Sequence, residues 1–118
     1  MKTRKQRNKY AMINYLDAIP KKATSITWQE NKNGMVEIEI IHRGFYAKLA
    51  QRLFKRPEKS LITLDKYGTM VWKSIDGSNS IYNIANIMEN SFPKEQDLML
   101  NRVVTFMTKL KNANFITI

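Results

Sequence analysis

The chain has 118 residues, 43% of them hydrophobic and 10% aromatic, with no Cys, one His and a formal net charge of +10. That is the length of one domain with enough apolar material for one core, and it is not the composition of a disordered chain. The missing Cys excludes disulfides and thiolate metal sites, and no apolar run approaches the roughly 20 residues that span a bilayer. No apolar signal-peptide segment follows the basic N-terminus, so a cytoplasmic protein is expected.

The first nine residues, MKTRKQRNK, hold Lys2, Arg4, Lys5, Arg7 and Lys9 and no acid, and removing these five charges leaves +5 of the +10. Residues 1–9 read as a flexible basic arm, either simply solvated or attracting an anionic partner, and 10–118 as a single domain. The chain's richness in Lys, Asn and Ile also fits a bias of the coding genome, which weakens the charge as evidence for a partner.

Residues 10–20, YAMINYLDAIP, read as a short helix or an extended lead-in ending before Pro20. In ITWQENKNGMVEIEII, Ile26 and Trp28 alternate with polar residues, as do Val36, Ile38 and Ile40 with Glu37 and Glu39. Asn33-Gly34 supplies the positive φ of a hairpin turn, so one sheet face is apolar and the other carries acids. Glu37 and Glu39 lie side by side on one strand face and read as its solvated side and not as paired catalytic groups.

In RGFYAKLAQRLFKRP, Phe45, Leu49, Leu53 and Phe54 recur at helical spacing opposite Lys48, Arg52 and Lys55, and Pro57 ends the run. This predicts a basic amphipathic helix over 44–57 that covers a sheet or lies on a membrane surface, the first being the commoner use. SLITL is a short β-branched strand, and Asp65 after it is placed to cap a helix bearing Val71, Trp72 and Ile75. Gly68 lies one turn before Trp72 on the same face and allows close backbone approach. Asp76-Gly77 stops that helix. Ser80 caps the next, with Ile81, Ile84, Ala85 and Met88 inward, and Pro93 separates it from a third helix over about Glu95 to Asn112. NFITI reads as a final extended stub.

On the third helix Met99, Val103, Phe106 and Leu110 share one direction, while Leu100, Val104 and Met107 form a second row about 100° away. So wide an apolar arc is either buried on two sides or presents its second row to a partner, a surface to which Met is well suited.

His42 is the only His and has no second His or Cys with which to build a zinc or iron site. No G-x-S-x-G, P-loop or G-x-G-x-x-G motif occurs, and Asp65 and Asp76 have structural work as cap and turn. A non-catalytic binding module is expected, with no cofactor and no metal.

LITLDKYGTMVWKSIDGSNSIYNIANIMENSF followed by RVVTFMTKLKNANFITI resembles the PqqD-like family, named for pyrroloquinoline quinone biosynthesis protein D. The resemblance rests on the ordered set Leu64, Asp65, Gly68, Trp72, Ile75, Asp76, Gly77, Ser80, Ile84, Val103, Phe106 and Leu110, and covers residues 60–118. It implies an α+β, winged-helix-like fold, with a three-stranded antiparallel sheet followed by three helices. Here an extra helix, that of 44–57, is inserted between strands 2 and 3, so the chain resembles a longer subgroup. It further implies a peptide-binding chaperone, the recognition element for the leader segment of a ribosomally made precursor peptide. The leader adds as a strand and is presented to a modifying enzyme, typically a radical S-adenosylmethionine enzyme.

The site so implied runs along Leu61, Ile62 and Thr63, facing Leu100, Val104 and Met107, with Arg102 and Lys109 at the rim. An unpaired strand edge and an apolar helix row together suit β-augmentation. Arg102 stands where many family members carry an acid, which shifts the expected leader toward acidic sequences. A monomer or homodimer is expected, with no membrane partner.

The rival reading is a nucleic-acid-binding winged helix using Asn101, Thr105, Thr108, Lys109 and Asn112. The basic residues cluster in the arm and not on that helix, and salt-sensitive binding to random duplex DNA would favour it. A third reading is an adaptor that docks only to a partner enzyme. A small peptide gene beside a radical enzyme gene would favour the leader-binding reading.

Overall fold

The computed structural model describes residues 14–41 and 59–118. The basic arm of 1–9, His42 and the expected 44–57 helix lie outside the described residues. The chain divides into two compact units, Thr24–Thr69 on the one hand and residues up to Ala23 with Met70–Ile118 on the other. Taken together they are α+β, with a three-stranded antiparallel sheet and several helices.

In the first unit, strands β2 (Thr27–Glu30), β3 (Val36–Ile41) and β4 (Lys59–Thr63) form an antiparallel sheet in the order β2-β3-β4. Alternation in β3 sets its faces, with Val36 and Ile38 buried and Glu37 and Glu39 on the opposite side. The β2–β3 connection is wider than a two-residue turn. Asn31 and Met35 still pair through Asn31 N–H to Met35 O at 2.8 Å, and Gly34 N–H donates to Asn31 O at 2.9 Å. Only Gly34 takes the positive φ, +79°, so the connection is a three-residue loop with glycine in the left-handed position. The Asn31 side chain braces it by accepting from Asn33 N–H and Met35 N–H.

Helix α1 (Lys66–Ser74) begins where Asp65 Oδ1 accepts Gly68 N–H at 2.8 Å, the N-cap read from the sequence. Thr69, only 6% exposed, ties the start of this helix to the sheet. Its hydroxyl accepts Val36 N–H at 3.0 Å and approaches Leu64 O at 3.4 Å, while Leu64 N–H donates to Val36 O at 2.8 Å.

The second unit takes the rest of α1, helix α2 (Ile81–Ser91), a 3₁₀ turn (Pro93–Glu95), helix α3 (Gln96–Asn112) and the short strands β1 (Lys21–Lys22) and β5 (Ile116–Thr117). Residues 14–16 are helical, Asp17 lies in a turn, and 18–20 form no helix or strand, so the described part of the lead-in carries one short helical turn before Pro20. At the end of α1, Asp76 Oδ1 accepts Ser78 N–H and Asn79 N–H at 2.9 Å each, with Gly77 at φ +83°. Ser80 Oγ then accepts Asn83 N–H at 3.1 Å and caps α2. Ile81, Ile84, Ala85 and Met88 are buried, as are Val71, Trp72 and Ile75 on α1. Helices α2 and α3 pack against each other.

Strand β5 is the stub expected from NFITI, but its partner was not legible: it pairs antiparallel with β1, Lys21 opposite Thr117 and Lys22 opposite Ile116. Lys22 Nζ donates to Ile75 O at 2.7 Å beyond the end of α1 and lies 5.3 Å from the Trp72 ring centroid. A cation there complements the helix C-terminus and the ring face. Burial lowers the Lys22 pKa from 10.5, against the raising influence of Asp76.

One expectation about α3 is corrected. Helical spacing puts Met107 in one row with Leu100 and Val104, but it is fully buried, 0% exposed, together with Met99, Val103 and Leu110. Phe106, expected inward, is half-buried. Met107 and Leu100 are two turns apart and differ by only about 20° around the axis. What separates them is height along the helix. Leu100 is near the N-terminal end, whereas below Met107 the chain turns back. Asn114 takes φ 62°, Phe115 N–H donates to Leu110 O, and β5 packs on α3.

Candidate functional site

Strand β4 is an edge of the sheet, paired on one side with β3 in the register Glu37–Thr63, Ile38–Ile62 and Glu39–Leu61, and with no described strand on the other. An edge offers a row of main-chain donors and acceptors to any extended segment, and proteins usually blunt it with Lys, Pro or a bulge. The centre of β4 carries none of these. Leu61 is 55% exposed and Ile62 40%, and Thr63 is exposed as well. The opposite edge, β2, is shorter and ends in the exposed charge of Glu30.

The register sorts the side chains into two faces. On one, Ile62 flanks the buried Ile38, with Trp28 on its other side. On the other, the cross-strand rows are Thr27–Glu39–Leu61 and Gln29–Glu37–Thr63. A shallow groove on the sheet is lined by Thr27, Trp28, Gln29, Glu37, Glu39 and Leu61. The acid-bearing face read from the sequence thus reaches the exposed edge.

The remaining expected site residues belong to α3, in the other unit. Leu100 is 36% exposed, Val104 half-buried, and Arg102 and Lys109 exposed. Arg102 Nη1 lies 3.5 Å from Glu95 Oε1, so part of the cation's field is spent on an acid seven residues earlier. Met107 is withdrawn from the exposed set by its burial. Thr69 was not singled out by sequence reading, although it fixes where β4 ends. Its partner on β3 is 33 positions away, and no local pattern announces it.

Among the described residues, no group of three or more His, Asp or Glu side chains is placed to hold a metal ion, and no helix is long and apolar enough to cross a membrane.

The family model for coenzyme PQQ synthesis protein D (PqqD) matches residues 55–116, slightly more than half of the chain, and the chain belongs to that family. Membership gives it, in general terms, a part in precursor recognition and PQQ-type biosynthesis. The matched region begins just before β4 and runs through α1, α2 and α3 to β5. No curated protein and no solved structure matches the chain.

Proposed function

We propose that the protein is a non-catalytic peptide chaperone of the longer PqqD-like type. It binds the leader segment of a ribosomally made precursor in the cytoplasm, as a monomer or homodimer. It presents that precursor to a modifying enzyme, a radical S-adenosylmethionine enzyme. The observation that carries the reading is the β4 edge, exposed and apolar at Leu61 and Ile62, with no Lys, Pro or bulge at its centre. An added strand takes its affinity from main-chain hydrogen bonds to β4 and its selectivity from the side chains on either face. Leu100 and Val104 on α3 offer a second, separately testable apolar contact for the precursor, with Arg102 and Lys109 as its charged margin.

The test is amide exchange and chemical shift on the isotope-labelled chain, titrated with synthetic leader segments of candidate precursor peptides from the same genome. Amides of Leu61 and Thr63, which the β3–β4 register directs to the open edge, should shift and exchange more slowly, and replacing alternate leader residues by proline should abolish this. Binding that leaves those amides unchanged refutes strand addition at β4.

A further inference from the structure

We infer that Glu37 makes the β4 edge selective for extended peptides that alternate apolar and basic residues, with the basic side chains on the Glu37 face. The inference rests on the strand-addition reading and specifies the chemistry of what is added.

A strand laid beside β4 continues the alternation of the sheet, so its residues fall in turn on the Ile62 face and on the Leu61–Thr63 face. On the first, the neighbours are Ile62 and, one strand further in, the buried Ile38, which favours an apolar side chain. On the second, a residue opposite Thr63 continues the row Gln29–Glu37–Thr63. Thr63 is short and does not screen Glu37 from the edge. The Glu37 backbone would then lie two strand spacings, about 10 Å, from that of the peptide residue. An extended Lys or Arg and an extended Glu span that distance between them. One row along, Leu61 offers an apolar bed for the stem of a basic side chain whose head remains in water. The groove beside it is lined by Glu37 and Glu39, so the depression that would receive the head is acidic.

The sign of this preference is opposite to what the whole molecule would impose. A net charge of +10 attracts acidic peptides at long range, and the exposed Arg102 on α3 pulls the same way. A preference for basic residues is therefore diagnostic of the local face.

The experiment uses the full chain, isotope-labelled, and short synthetic peptides alternating Val with Lys, Val with Gln or Val with Glu. Affinity is measured by titration, and the β4 amides are followed in parallel. The Lys peptide should bind tightest and the Glu peptide weakest. In Glu37→Gln the Lys peptide should lose about two- to five-fold in affinity, the range of a solvent-facing ion pair, with the Gln peptide unchanged. Glu37→Lys should reverse the order of the Lys and Glu peptides, and thermal melts should confirm that both variants fold. If all three peptides shift the Leu61 and Thr63 amides but the Lys peptide is indifferent to Glu37→Gln, or the Glu peptide binds best, this inference fails and strand addition stands. If a candidate precursor leader shifts those amides and none of the alternating peptides does, the inference alone fails. If nothing shifts them, both fail.

Discussion

Met107→Ala and Leu100→Ala form a matched pair, because the two positions share nearly one azimuth on α3 and differ in burial, 0% against 36% exposed. Truncating Met107 removes three heavy atoms from a packed interior. At about 0.8 kcal/mol for each methylene-sized group, lost transfer free energy alone costs about 2.4 kcal/mol. The cavity left behind adds to that, so the total should fall at about 3–4 kcal/mol, within the span known for such truncations. Leu100 already faces water over a third of its surface and can relax outward, so its truncation should cost about 1 kcal/mol or less. Urea unfolding followed by far-ultraviolet circular dichroism gives both values, provided the slope against urea stays that of the wild type. A Met107→Ala cost below about 1 kcal/mol, or one no larger than that of Leu100→Ala, would overturn the assignment of Met107 to the interior. It would return the residue to the surface row drawn from periodicity.

Thr69→Val keeps the side chain's shape and removes the oxygen that accepts Val36 N–H, so a buried donor is left unpaired. The cost should be about 1–3 kcal/mol in the same urea assay, and a neutral result would mean that water replaces the hydroxyl. Asp76 is held below its ordinary pKa of 3.8, first by the Ser78 N–H and then by the Asn79 N–H, with Lys22 a lesser contributor. A carboxyl whose folded pKa is depressed stabilises the fold above its unfolded pKa, and that contribution disappears as pH falls through the folded value. The stability difference between wild type and Asp76→Asn should therefore be constant from pH 7 down to about pH 4 and shrink toward pH 2. A difference that grows on acidification would contradict the turn's charge state.

The elements legible in the sequence are those whose cause is local. Asp65 and Ser80 each cap a helix through a main-chain N–H three residues on, and the α2 stripe of Ile81, Ile84, Ala85 and Met88 is buried as its spacing predicts. The strand at SLITL and the acid-bearing face of β3 follow from alternation alone. Periodicity failed at Met107 because it reports the direction of a side chain around an axis and not what covers it at that height. Thr69 and the β1–β5 pair escaped for a related reason. Lys21-Lys22 carries no apolar alternation, and it becomes a strand only because Ile116–Thr117 arrives beside it. Of the candidate site, Leu61, Ile62 and Thr63 were readable as a strand, while their standing at an exposed edge depended on the order of the sheet.

The pairing of β1 with β5 also sets a timetable for synthesis. Lys21 and Thr117 are 96 positions apart (117 − 21), and the whole of the Thr24–Thr69 unit is made between them. At about 5–20 residues per second, β1 waits about 5–20 s on the ribosome for its partner strand. The sheet unit, by contrast, is contiguous in sequence. The unit bearing α2 and α3 cannot be completed until Ile116–Thr117 has emerged. All of β2, β3 and β4 is therefore synthesised before the strand that completes the other unit.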